Sequence, residues 1–227
     1  MSEQNTHAVN PLPPVVVALF LVLVGVEVIL YLGSKGIVGG PQAIGWRQQI
    51  VQQYGFSDRI FQWMLENRQY PSEHVMRLFT YQFVHTGFTH AVFSGVMVLA
   101  IGKMVGEVFA GWATMLIFLL SGIVGALVYG LVLDTPLWLI GAYPGIYGLI
   151  GAFTFLLWVR LGAVGAGQAR AFTLIGFLLG IQLLFALVFG GSKDWVADVA
   201  GFITGFGMSF LLVPGGWAKI RALIRRE

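Results

Sequence analysis

The sequence contains no cysteine, which excludes a disulfide framework, a thiolate metal site and a cysteine nucleophile. Charge is scarce as well. Asp, Glu, Lys and Arg make up 10% of the 227 residues, against about 25% in a soluble globular protein. No lysine or arginine precedes Lys35, so the start of the sequence lacks the basic region of a cleavable signal peptide. The net charge of +3 is too small to read as affinity for nucleic acid. No internal repeat and no appended soluble domain is evident, and no residue set calls for a cofactor or a metal.

What the chain has is apolar surface. It is 57% hydrophobic, and a chain of that kind needs lipid as its solvent. Six runs are long enough to predict spanning helices: roughly 14–33, 82–105, 112–133, 144–162, 170–190 and 195–213. The expected fold class is therefore an all-α integral membrane protein, a six-helix bundle over 14–213 with a long first outer loop. A short tail, 1–13, precedes it and a basic tail, 214–227, follows. The loop 34–81 is too polar to span and predicts short helices lying at the membrane surface. An even number of spans puts both termini on one side. The basic stretch Lys219-Ile-Arg-Ala-Leu-Ile-Arg-Arg then predicts cytoplasmic termini by the positive-inside rule. The other lysines and arginines are divided almost evenly and support this only in part. Short connections fit a bacterial inner-membrane protein. Many of the 31 glycines fall inside the runs, where they let backbones pack closely.

Three segments carry more specific information. Residues Gly141–Ala152 read Gly-Ala-Tyr-Pro-Gly-Ile-Tyr-Gly-Leu-Ile-Gly-Ala, with Pro144 suited to a helix start. The second run opens His85-Thr-Gly-Phe-Thr-His90-Ala-Val-Phe-Ser94, eight residues after the pair Met76-Arg77. The last run reads Asp198-Val-Ala-Gly201-Phe-Ile-Thr-Gly205. Together, in this order, they resemble the rhomboid family of intramembrane serine proteases. The first is similar to that family's Gly-Ala-Ser-Gly-x3-Gly-x2-Gly-Ala: Gly141, Ala142, Gly148, Gly151 and Ala152 match, while Tyr143 stands at the serine and Pro144 at the next glycine. The second is similar to His-x4-His-x3-Asn, with Ser94 for the asparagine. Arg77 keeps the arginine of an upstream Trp-Arg pair, and Glu107-Val-Phe-Ala-Gly111 resembles the family's Glu-x3-Gly. The third is similar to His-x2-Gly-x3-Gly, with Asp198 at the histidine.

The resemblance implies a serine nucleophile on one helix, a histidine base on another and oxyanion donors around His85, His90 and Ser94. The two residues that would do covalent chemistry are the two that differ. A phenol with a pKa near 10 supplies little phenolate at neutral pH, and Tyr143 is bulky where a substrate carbonyl would lie. Aspartate, with a reference pKa near 4, is a poor base for a hydroxyl. Raising that value by burial favours the neutral acid, which takes up no proton. In this reading a hydrogen bond from the Tyr143 hydroxyl to Asp198 fills the old active site.

Simpler structural readings stand beside these. His85 and His90 satisfy buried polar demand near the membrane surface. Their five-residue gap is wrong for the i, i+4 zinc pattern. Glu27, inside the first run, is either a hydrogen-bonded packing group or a proton-handling one. The pairs Gly148/Gly151 and Gly201/Gly205 are helix-packing positions. Three functions follow. The first is an inactive rhomboid-like protein that binds transmembrane protein clients within the lipid bilayer. The second is an active rhomboid-type protease using another hydroxyl, among Ser94, Ser121, Thr86 and Ser209. The third is a six-helix channel or carrier with Glu27 and Asp198 on its path.

Overall fold

The computed structural model describes residues 11–189 and 193–215. Most of the N-terminal tail, and the basic stretch after residue 215 on which the orientation was argued, lie outside the described residues. In chain order the helices are α1 (Pro14–Ser34), α2 (Trp46–Tyr54), α3 (Asp58–Asn67), α4 (Ser72–Val75), α5 (Arg77–Thr80), α6 (Phe88–Gly106), α7 (Gly111–Val132), α8 (Tyr143–Ala163), α9 (Thr173–Phe189) and α10 (Trp195–Leu212). Two short strands, β1 (Phe56–Ser57) and β2 (Trp138–Leu139), pair antiparallel, Phe56 opposite Leu139 and Ser57 opposite Trp138.

Five of these helices, α1, α6, α7, α8 and α10, are long and apolar enough to cross a membrane. At 18–22 residues each, they measure about 27–33 Å, the thickness of a hydrocarbon core. The sixth predicted span, 170–190, corresponds to α9, whose start moves to Thr173 and whose described residues end at Phe189. The polar residues Gln168 and Arg170 fall in a 3₁₀ turn, Gln168–Phe172, and the described part of the helix has 17 residues, about 26 Å. The start of the second predicted span also moves. Phe83 and Val84 extend the apolar run on paper. In space, Tyr81–Phe83 form a 3₁₀ turn and Gly87 is extended, so α6 begins only at Phe88.

Proline marks the first turns of α1 and α8, where its missing N–H costs nothing. Leu21, Phe93, Trp112, Leu131, Phe177 and Ile203 all point outward and are exposed. In water that surface would aggregate, whereas in lipid it is already in its solvent.

The core is built around α8. Ile146, Leu149 and Ile150 are fully buried with Ile117 and Phe118 of α7, Val98 and Val105 of α6, and Leu19 and Leu23 of α1. Glycines set the approach of the helices. A Cβ at Gly102 of α6 would lie 3.0 Å from Val16, and one at Gly95 would lie 3.0 Å from Phe20, both on α1. Between α8 and α10 the approach is closer still. A Cβ on Gly205 would run into the Gly148 backbone, one on Gly201 into the Pro144 carbonyl, and one on Gly151 into the Phe202 carbonyl. Backbone therefore lies against backbone along this seam.

The predicted interfacial loop forms a second, smaller core. Phe56, Phe61, Met64 and Tyr81 pack with Leu139, with Ala126 and Tyr129 of α7, and with Ala197 of α10. The Tyr81 hydroxyl donates to the Gly122 carbonyl of α7 at 2.7 Å. In α3, Phe61 and Met64 face inward, and Asp58 at its start accepts the Thr135 N–H at 3.1 Å. The loop is thus docked on one end of the bundle.

Candidate functional site

The chain enters α8 through Gly141, whose φ of +108° is open to glycine and costly for other residues. Its N–H donates to the Tyr81 carbonyl at 3.0 Å. A Cβ there would lie 2.8 Å from Cε1 of His90, so the backbone passes directly against that imidazole. Tyr143, the first residue of α8, lays its ring on the same imidazole, with centroids 5.2 Å apart and planes 15° from parallel.

His90 sits in the first turn of α6. Its Nδ1 accepts the Thr86 backbone N–H at 3.4 Å and lies 3.0 Å from Thr86 Oγ1. With Nδ1 accepting, the neutral ring carries its proton on Nε2. His85 meets His90 edge-on at 5.1 Å. The two histidines are not on one helix, since Gly87 turns the chain between them. His85 is 1% exposed. Burial, and then His90 and Arg47 nearby, pull it down to about 3, so the ring is neutral at physiological pH. Ser94, one turn along α6 from His90, is fully buried and no hydrogen bond joins its hydroxyl to an imidazole.

Asp198, on α10, is 2% exposed. Its Oδ2 accepts from Gln182 Nε2 at 2.7 Å, and Gln182 Oε1 accepts from the Tyr147 hydroxyl at 3.2 Å. The expected Tyr143–Asp198 hydrogen bond is therefore replaced. The Tyr143 ring goes to the face of His90, and Tyr147, one turn further along α8, reaches the carboxyl through Gln182.

Glu27 forms a two-pronged ion pair with Arg47, at 2.7 and 3.0 Å. The same guanidinium donates to the His85 carbonyl at 2.8 Å, which fixes the segment carrying that histidine. Arg77 supports the loop. It donates to the Gln52 and Gly55 carbonyls at 2.7 and 3.0 Å and lies 5.7 Å from the Trp138 ring. A tryptophan thus stands over Arg77, from β2 and not from position 76.

Sequence reasoning missed Arg47, Tyr147 and Gln182. Gln182 carried a readable signal, as the lone amide in an apolar helix. Arg47 carried none, because nothing local separates it from the other loop charges. The assembled site holds hydrogen-bonding and stacking groups, and among the described residues its hydroxyl–imidazole contact is the local one between Thr86 and His90.

The order and spacing of these elements define a class. Residues 72–215 match the Rhomboid domain, and the chain belongs to the rhomboid family of multi-pass integral membrane proteins. It is similar to "RHOMBOID-like protein 6, mitochondrial" of Arabidopsis thaliana, at 28% identity over 64% of this chain and 47% of that protein. It is also similar to "Putative rhomboid protease YdcA" of Bacillus subtilis, at 27% over 60% of this chain and 67% of that one. With "RHOMBOID-like protein 2" of Arabidopsis thaliana it shares 29% over 69% of this chain and 50% of that protein. The chain thus spans about half the length of the Arabidopsis relatives.

Proposed function

We propose that this protein is a rhomboid-like membrane protein without proteolytic turnover that binds transmembrane segments of client proteins. The observation that carries this reading is the state of the nucleophile position. Tyr143 occupies it, and its ring covers the face of His90. The position of the family base holds Asp198, whose carboxyl is engaged by Gln182. Nucleophilic catalysis by serine needs a base within hydrogen-bond reach, and neither Tyr143 nor Asp198 meets such a partner. The reading includes α9 as the sixth crossing, cytoplasmic termini and a bacterial inner membrane. Its partners are client helices and the bilayer; no nucleic acid, metal or cofactor is assigned.

One observation favours a second reading, an active protease. Thr86 Oγ1 lies 3.0 Å from His90 Nδ1, the contact a base-activated nucleophile would make. Against it, the same Nδ1 already receives the Thr86 N–H. A contact within four residues at a helix start is also the ordinary local bonding of threonine. The purified protein in vesicles, incubated with a labelled rhomboid-substrate transmembrane segment, tests both. Binding without a cleavage product is expected. A product that disappears in Thr86→Val would establish the second reading and overturn the first.

A further inference from the structure

Asp198 and Tyr147 are arranged around one functional group. The carboxyl of Asp198 accepts an amide N–H at 2.7 Å, and the hydroxyl of Tyr147 donates to the same amide's oxygen at 3.2 Å. A primary amide offers a donor and an acceptor from one planar end, so this pair reads both halves of a carboxamide. Both residues are deeply buried, 2% exposed for Asp198 and 6% for Tyr147. Asp198 Oδ1 has no hydrogen-bond partner, which leaves acceptor capacity unused in an apolar setting.

The helices that carry the pair differ from the helix that fills it. Asp198 and Tyr147 lie on α10 and α8, locked backbone to backbone by Gly148, Gly151, Gly201 and Gly205. Gln182 lies on α9, where Phe177, Ile181, Leu183 and Leu184 are exposed. A Cβ on Gly176 or Gly180 would meet nothing within 4 Å. A rigid receptor is thus occupied by a side chain from a third helix, which packs Leu174, Ile175, Leu178 and Leu179 on the core and leaves its opposite face outward.

We propose that Asp198 and Tyr147 recognise a side-chain carboxamide, Asn or Gln, presented by a client transmembrane segment, with Gln182 as the internal occupant that such a segment displaces. The inference rests on the client-binding reading above and adds to it the chemistry being read.

The test uses the full-length protein in phosphatidylcholine vesicles. The probes are a leucine-rich spanning peptide of about 20 residues with one mid-span Asn, and its all-leucine counterpart. Binding is followed by energy transfer between labels. Intramembrane hydrogen bonds are modest, so the Asn peptide is expected to bind about three- to fifteen-fold more tightly. Gln182→Leu raises that ratio by removing the competitor, and Tyr147→Phe or Asp198→Ala lowers it. Equal binding of both peptides to wild type and Gln182→Leu overturns the inference while leaving client binding intact. Binding of neither peptide overturns both. A ratio unchanged by Tyr147→Phe also overturns the inference, in a variant that keeps the ring and its packing.

Discussion

The seam between α8 and α10 makes a quantitative test of the fold. In Gly205→Ala the new methyl falls on the Gly148 backbone, where no side chain can swing away. Non-bonded carbon atoms settle near 3.5–4 Å, so the helices have to part by on the order of 1 Å. Overpacking of this kind costs about 1–3 kcal/mol, and an obstacle made of backbone puts the cost toward the upper end. Part of that is returned by the better helix propensity of alanine. The control is Gly176→Ala on α9, where an added methyl meets nothing and stability should equal or slightly exceed wild type. Both variants and wild type would be unfolded by SDS titration in mixed micelles, followed by tryptophan fluorescence. A shift for Gly205→Ala indistinguishable from that of Gly176→Ala would refute the close approach of the two helices.

Other expectations follow from the site. Arg47→Ala leaves Glu27, with a side chain 2% exposed, as an unpaired buried charge, which costs up to about 3–5 kcal/mol. Thermal melts should show the loss partly relieved in Glu27→Gln/Arg47→Ala, and additive losses would argue against the ion pair. His85, held near 3 when folded against 6.5 ordinarily, takes up a proton more readily when unfolded. Its neutral state supports the fold fully above about pH 6.5, and that support is lost as pH falls toward 3, by up to about 1.4 kcal/mol per pH unit. A His85→Leu melt series should be flatter across that window, and an unchanged slope would remove the assignment. A fluorophosphonate probe should leave the wild-type protein unlabelled, and labelling that is lost in Ser94→Ala would revive catalysis at that serine.

Much of the architecture was legible because its signals are local. Apolar runs of spanning length mark five helices, and the order of three short strings marks the family. The departures have local causes too. The turn that holds Gln168 and Arg170 delays the start of α9 to Thr173, and the extended Gly87 takes His85 off α6. The partners inside the site are what sequence reading loses. Arg47 reaches Glu27 across 20 residues and the His85 carbonyl across 38, and no periodicity encodes either distance. Facing positions on neighbouring helices predict a Tyr143–Asp198 contact from the sequence. The ring instead found an imidazole to stack on, and the carboxyl found an amide on a third helix.

The two-residue ladder between β1 and β2 has a mechanical consequence. It rivets the long loop to the strand that runs straight into Gly141, while Arg77 clamps the Gly55 carbonyl just before it. The loop and the threshold of α8 therefore behave as one plate. Extra residues spliced near Gly36 or Gly40, whose surroundings are open, would hang as slack. A single residue added at Phe56 would slip the ladder and tug on the doorway where Tyr143 and His90 meet.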